Sequence, residues 1–403
     1  MAFAHQVGGH ADTILASPLS SSTLIKPASE RELAFYQSLG PSLAGGDFVQ
    51  RWTPAFYGTL KAHAPPAPAA AAAPAAPAAT RAPPDMLVLE NLTHRFLRPN
   101  VLDIKLGTQL YDEDASAEKR ERMQRASEAS TSGTTGIRLT GFQVWNHATQ
   151  TYVLTEKAFG KSLAVDELEL GLARFFHPSQ SRLSRAEQAA LSVPAPAPAP
   201  AAVEEEDAPI ASTSAAAIPA SAPALTTSSP PSLPNRPDRP PSSTTPASLP
   251  PDLLLPVLRT LVRRLNQLIE VWQTLEIRMR GGSLLVVVEG DPDALERAIL
   301  RSSSSTDNSA LNAQQQGDGG DEEYGGDDND DAASVSTTDE EGNAKPETLL
   351  PLEMRLIDFA HTRSAVGEGP DEGVLLGLRT VQSLLEALTA KLEEQQEEED
   401  EDR

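Results

Sequence analysis

The sequence predicts an α+β protein built as two lobes and interrupted by long low-complexity insertions. Two observations carry this. Short apolar runs with strand character dominate the first part of the chain, and longer runs of helical period join them later. Between them lie an Ala/Pro tract at 64–84, a Pro/Ala/Ser tract at 193–250, and a Ser-led, Gly/Asp/Glu-rich tract at 302–346. Such compositions bury too little apolar surface to offset the entropy of ordering, so they read as surface insertions. The expected layout is an N-terminal lobe over 1–88, a C-terminal lobe over 89–391 and an acidic tail over 392–403.

The elements follow in order. SSTLIK (21–26) reads as a strand, and SERELAFYQSL (29–39) as a helix with Ser29 at its N-cap. MLVLENL (86–92) and VLDIKLG (101–107) are further strands. DASAEKRERMQRASEA (114–129) is a helix with a strongly basic face. IRLTGFQVWN and TYVLTEK form the two arms of a hairpin around residue 148. Residues 252–279 read as one helix, because Leu254, Val257, Leu258, Leu261, Leu265, Leu268, Trp272 and Leu275 recur at three- and four-residue steps. Gly281 and Gly282 end it. SLLVVVEGD (283–291) is a buried strand, MRLIDFAHT (354–362) the last strand, and 371–391 the final helix.

The formal net charge of -24 is local. Residues 318–341 hold eleven acidic groups, 393–402 hold eight and 204–207 four, which accounts for nearly all of it. The folded part is close to neutral. Acidic runs of this kind are solvated segments or interaction tails for basic partners. The chain has no cysteine, which excludes disulfides, Cys-ligated zinc and a thiol nucleophile. No apolar run has the length of a membrane span, and the first residues lack a signal-peptide profile. A soluble intracellular protein is expected.

Several motifs fail. Phe159-Gly160-Lys161-Ser162 has the end of a P-loop, but Thr155 stands where the first glycine belongs. His5 and His10 have no HExxH arrangement, and no G-x-S-x-G elbow occurs. A phosphotransferase pattern remains. Phosphoryl transfer from ATP asks for a cation on the phosphates, a carboxylate for Mg2+, a hinge for adenine and a cation beside the acceptor. Lys26 closes a strand and Glu32 lies in the next helix, as a phosphate-binding lysine and its glutamate would; a surface pair fits that spacing equally. The strand ending near Glu90 and Leu92 suits an adenine hinge, and Asp358 before Phe359 suits a Mg2+ ligand. Lys119, Arg122 and Arg125 share roughly one helix face, either for several phosphates or as a solvated surface. Asp103 and Lys105 point to the same side of a strand, as an ion pair or as a wall of an active site.

The stretch Pro99–Gly107 matches the P-x-x-x-D-x-K-x-G signature of the inositol polyphosphate kinase family. HQVGGH (5–10), VLENLTHRF (88–96), GGSLLVVVEGD (281–291) and LIDFAHT (356–362) resemble the same family in the same order. The run from Leu102 to Gly133 is similar to the fungal multikinases of that family, whose yeast form also serves as an arginine-responsive transcription regulator. The resemblance implies a protein-kinase-like fold of two lobes, ATP and Mg2+ as cofactors, and transfer to hydroxyls of inositol 1,4,5-trisphosphate and higher inositol phosphates. It implies Lys26 and Glu32 at the ATP phosphates, Glu90 and Leu92 at the hinge, Asp103 on the ribose and Asp358 on Mg2+. Lys105 would lie beside the reacting hydroxyl, with Ser283, His361, Lys119 and Arg122 toward the inositol phosphates. Gly281 and Gly282 replace two serines common in the family, and Gln143 stands where some relatives have arginine. An inositol hexakisphosphate kinase shares the signature. A scaffold binding basic transcription regulators through the acidic segments is the reading from another class. A monomer in nucleus and cytoplasm is expected.

Overall fold

Alternation along Pro99–Leu106 organises the larger of two antiparallel sheets. Leu102, Ile104 and Leu106 are fully buried in the main core, together with Leu284, Val286 and Val288 of the neighbouring strand. Val101 belongs to a smaller apolar cluster with Val287 and Leu285 on the other face, the face that Asp103 shares by the period of two. The computed structural model describes residues 3–8, 14–18, 20–61, 85–176, 249–302 and 350–401. Apart from Leu249, Pro250 and Ser302, the three expected insertions lie outside the described residues, as do the acidic stretches 204–207 and 318–341.

The smaller sheet has the order β1-β2-β4-β3, from β1 (Leu15–Ala16), β2 (Thr23–Pro27), β3 (Phe56–Leu60) and β4 (Met86–Glu90). Between β2 and β3 lie α1 (Glu30–Ala34), a π-helical turn Phe35–Leu39, α2 (Gly40–Ser42) and α3 (Asp47–Trp52). Ser29 caps α1 as expected, accepting a hydrogen bond from the Glu32 N–H. The larger sheet has the order β10-β9-β5-β6-β7. Its strands are β5 (Pro99–Leu106), the hairpin β6 (Ile137–Asn146) and β7 (Thr151–Thr155), β9 (Ser283–Glu289) and β10 (Leu352–Ile357). β8 (Ile277–Met279) pairs separately with β11 (Thr362–Ser364).

Helices cover the main core. α4 (Ala117–Glu128), α5 (Ser132–Thr135), α6 (Lys157–Ser162) and α7 (Leu168–Phe176) follow β5 and the hairpin. α8 (Pro251–Trp272), α9 (292–302) and α10 (Glu372–Glu401) complete the set. α8 packs along α10, with Leu258, Leu261, Leu265 and Leu268 meeting the core that holds Val374, Leu378, Val381 and Leu385.

Three expectations are corrected. The strand read over 354–362 ends at Ile357, where Asp358 turns left-handed, and Thr362 opens the separate β11. The helix read over 252–279 ends at Trp272, and Ile277–Met279 form β8. Leu275 and Met279, four apart, extend the helical face of α8, and that period outweighs the alternating position of Ile277, which is buried in the strand. The acidic residues read as a tail from 392 instead continue α10 through Glu401. Leu392 is buried, and the Glu/Gln run beyond it consists of good helix formers.

Candidate active site

Residues from both sheets line one cavity of about 260 Å3, whose apolar walls include Leu24, Leu89, Val101 and Leu285. The carboxylic and lysine side chains in its lining are Lys26, Glu32, Glu90, Asp103 and Asp358. β2 delivers Lys26, whose Nζ lies 2.8 Å from Glu32 Oε1 and 2.6 Å from Asp358 Oδ1. The cap at Ser29 starts α1 so that Glu32 turns inward, where it is 1% exposed. Phe359 then stacks on Phe35 at 3.8 Å between ring centres. The segment after β10 is thereby docked on α1 and the π-helical turn, the kind of helical irregularity that recurs at functional sites.

Electrostatics sharpen the cluster. Burial opposes the charge on Lys26, but Asp358 and Glu32 outweigh it and raise its pKa, so it stays an ammonium. Burial likewise lifts Glu32 above the ordinary carboxylate value, against the pull of Lys26. Asp358 goes the other way: burial is overcome by Lys26 and Lys105, and its pKa is lowered. Asp358 also has φ 67°, in the left-handed region that a non-glycine residue enters at a cost.

Asp103 and Lys105 sit on the central strand. Asp103 is 4% exposed, and burial, reinforced by the nearby Asp358 charge, pushes its carboxyl up to about 6. Lys105, Ser283 and Thr140 act in the opposite sense. The Asp103 Oδ1 and Thr140 Oγ1 atoms are buried without a well-formed hydrogen bond, although the hydroxyl is near enough to favour the carboxylate. Thr140 is the extra residue of a β-bulge, since Asp103 faces Gly141 while Ile104 faces Leu139. Bulges re-aim side chains beside functional sites. Lys105 lies opposite Ser283 in register and forms no ion pair within 4.0 Å among the described residues.

The first residues of the chain cover this strand. A Cβ on Gly8 would fall 2.0 Å from Asp103 Oδ2, so only glycine admits the approach. His5 Nδ1 is 2.7 Å from Gln143 Nε2, which also donates to the Pro99 carbonyl at 3.0 Å. Gln143 is therefore engaged in joining the N-terminal segment to β5 and β6.

The remaining expected residues divide. Glu90 and Leu92 both line the cavity. Glu90 Oε2 accepts from the Ala55 N–H at 3.1 Å, which ties β3 to β4, while the Leu92 N–H has no hydrogen-bond partner among the described residues. His361 stands half-exposed with Nδ1 2.6 Å from Asp112 Oδ2. Lys119 and Arg122 are exposed on α4 and do not line the cavity. α4 is fastened at its far end, where Ser127 Oγ donates to the Thr108 carbonyl at 2.6 Å. Sequence reasoning missed Asp112, Thr140 and the cover formed by Val7 and Gly8. HQVGGH was the one signal for the cover; the bulge and the Asp112–His361 pair have none in a single sequence.

The donor set suits a nucleotide with Mg2+. No cluster of three metal-ligating side chains occurs among the described residues. Mg2+ commonly needs only one or two carboxylates, with phosphates and water completing its shell, and Asp358 meets that demand. The free Leu92 N–H and the buried Asp103 Oδ1 offer a donor and an acceptor at the cavity wall.

An apolar cleft between two sheets, lined also by a lysine–glutamate pair and an aspartate, is the arrangement of kinase-like folds. The model of the inositol polyphosphate kinase family matches residues 86–193 and 252–386, more than half of the sequence. The chain belongs to that family. It is 30% identical over 174 residues to the inositol polyphosphate multikinase of Schizosaccharomyces pombe, covering 43% of this chain and 62% of that protein. It is 42% identical over 91 residues to human inositol hexakisphosphate kinase 1, covering 23% and 21%. The match thus spans less than two thirds of the yeast multikinase. The fold is shared with the inositol phosphate multikinase of S. cerevisiae solved in complex with ADP and Mn2+. That likeness has a TM-score of 0.50 at 24% identity and covers 91% of this chain and 99% of the other.

Proposed function

We propose that this protein is an inositol polyphosphate multikinase, moving the γ-phosphate of ATP onto hydroxyls of inositol tris- and tetrakisphosphate to give the pentakisphosphate. The observation that carries the reading is the joint cluster: Lys26 held by Glu32 and Asp358, with Asp103 and Lys105 on the adjoining central strand. A relative with the same fold binds ADP and Mn2+, and a relative 30% identical is a multikinase.

ATP with Mg2+ supplies the transferable phosphoryl group and metal charge when bound. In this reading the chain positions and neutralises. The Leu92 N–H and the backbone near Glu90 hold the adenine edge, and the apolar wall excludes water from it. Asp103, ionised above its pKa of about 6, accepts from the ribose hydroxyls. Lys26, kept protonated, fixes the phosphates, and Glu32 keeps it there. Asp358, kept ionised, is the Mg2+ ligand. Lys105 has no ion pair to give up, and it faces charge that develops on the acceptor oxygen and the phosphoryl group. Preorganised charge of this kind is the main lever in phosphoryl transfer. Ser283, His361, Lys119 and Arg122 complete the acceptor side.

Incubation with ATP, Mg2+ and inositol 1,4,5-trisphosphate, followed by separation by charge, tests the reading. Tetrakis- and then pentakisphosphate are expected; no product would overturn it. The 42% identity to a hexakisphosphate kinase favours a second reading, which the same assay separates through pyrophosphate products from inositol hexakisphosphate. Binding of basic nuclear regulators, action as a monomer, and a nuclear and cytoplasmic location rest on the sequence alone. Deletion of 318–341 with unchanged regulator binding would remove the regulator role.

A further inference from the structure

Two consecutive residues of α1 reach in opposite directions. Glu32 holds Lys26 at the nucleotide cluster, while Arg31 reaches the acidic stretch Asp112–Asp114 that leads into α4. Its guanidinium lies 3.4 Å from Asp112 Oδ2 and 2.5 Å from Asp114 Oδ2. The stretch is held from other sides too. Asp112 pairs with His361 at 2.6 Å, and Glu113 receives Arg280 at 3.1 Å and Arg363 at 3.0 Å. Arg280 in turn grips the buried Asp371 at 2.6 Å. Three consecutive carboxylates are thus occupied by four basic side chains from separate parts of the chain. Lys119, one turn into α4, has no ion pair among the described residues.

Building on the kinase reading, we propose that Arg31 is a positioning residue for acceptor binding. It sets the start of α4 and couples that helix to the nucleotide cluster through α1. The carboxylates it holds are kept from folding back on the basic face of α4, which stays turned to a polyanionic acceptor. A nucleotide seated on Lys26 steadies Glu32, and with it the neighbouring Arg31 and the start of the acceptor helix. Arg31 and Asp114 are 45% and 67% exposed. Such a pair contributes little to global stability, so an effect on acceptor affinity is separable from an effect on folding.

Calorimetric titration of the full chain with inositol 1,4,5-trisphosphate, with and without ADP, tests this. The Arg31→Ala variant is expected to bind the acceptor about tenfold more weakly and to lose most of the gain that ADP confers, within the usual range of site-to-site coupling. Its ADP affinity and melting temperature should stay near wild type, and Arg31→Lys should recover part of the acceptor affinity. Acceptor affinity equal to wild type, or a parallel loss of both ligands with a lowered melting temperature, would overturn the proposal. If Arg31→Ala does not fold, Asp114→Ala cuts the same contact from its exposed side and gives the same readouts. A wild type that binds ADP but no inositol phosphate overturns the kinase reading itself, whereas normal acceptor binding by Arg31→Ala overturns only the coupling.

Discussion

The cavity's charged cluster and the exposed helix α4 are built by opposite means. On the proposed nucleotide side, Lys26 is pinned by two carboxylates, Glu32 is almost wholly buried, and stacking of Phe359 on Phe35 docks the segment carrying Asp358 on the π-helical turn. On the proposed acceptor side, Lys119 and Arg122 stand exposed on α4, whose leading segment is held by Arg31 and whose far end is held by Ser127. The first side is organised before any ligand arrives. The second keeps its charges in water, where under the proposed reading they would draw in a highly charged ligand. Lys105 lies at the border and shares a property with each: it is on the rigid central strand, yet it has no ion pair.

The sharpest way to break this comparison is at the border. Lys105→Ala should lower turnover about 10^3-fold or more, the scale set by removing a positioned charge from a phosphoryl-transfer site. The fold should survive with a modestly lower melting temperature, because no ion pair is lost but a charge that offsets the burial of Asp103 and Asp358 is; near-normal conversion of inositol trisphosphate would end the assignment. Lys26→Ala should go further. It strands the Glu32 carboxylate in the core and should cost about 3 kcal/mol of stability, read by urea denaturation, with Glu32→Gln in the same chain recovering much of it.

Next comes pH. Asp103 is raised to about 6 from an ordinary 3.8, so the folded chain keeps this proton to higher pH than the unfolded chain does. Its contribution to stability therefore falls as pH rises from about 4 to about 6 and levels off above. Asp358, held below its ordinary value, contributes in the opposite sense, and its share is lost only under more acidic conditions. Asp103→Asn should remove the falling limb, gaining about 2 to 3 kcal/mol at pH 7 relative to pH 4. Denaturation curves across that window measure it, and an unchanged slope would contradict the burial argument. The smallest effect belongs to the exposed helix. Lys119→Ala should raise the acceptor KM about threefold to tenfold at low salt and less at high salt, leaving stability within about 0.5 kcal/mol.

What could be read in the sequence follows the same divide. The alternation in β5, the cap at Ser29 and the apolar face of α8 were legible because each is a local pattern with a physical cause. Lys26 and Glu32 were legible as neighbours, but the 2.6 Å contact from Lys26 to Asp358 spans 332 positions and no local pattern encodes it. The same holds for the hub at Asp112–Asp114. Its partners Arg31, Arg280, His361 and Arg363 come from both ends of the chain, and alternating charge alone gives no pairing. The end of α8 was misplaced because Leu275 and Met279 continue its helical period, and one alternating residue, Ile277, is too short a signal for a strand. The continuation of α10 was missed because a run of glutamates reads as a solvated tail until Leu392 is seen to be buried.

The left-handed turn at Asp358 has a consequence for inheritance as well as for chemistry. Aspartate, asparagine and glycine tolerate this backbone, whereas branched or bulky residues resist it. Mutational drift at this position is therefore filtered twice, once by shape and once by charge. Glutamate, the substitution most often regarded as conservative, keeps the charge but lacks the short side chain that eases the turn. Asparagine passes the first filter and fails the second, so under the proposed kinase reading Asp358→Asn would be the dead-end of this position: a protein that folds and no longer transfers phosphate.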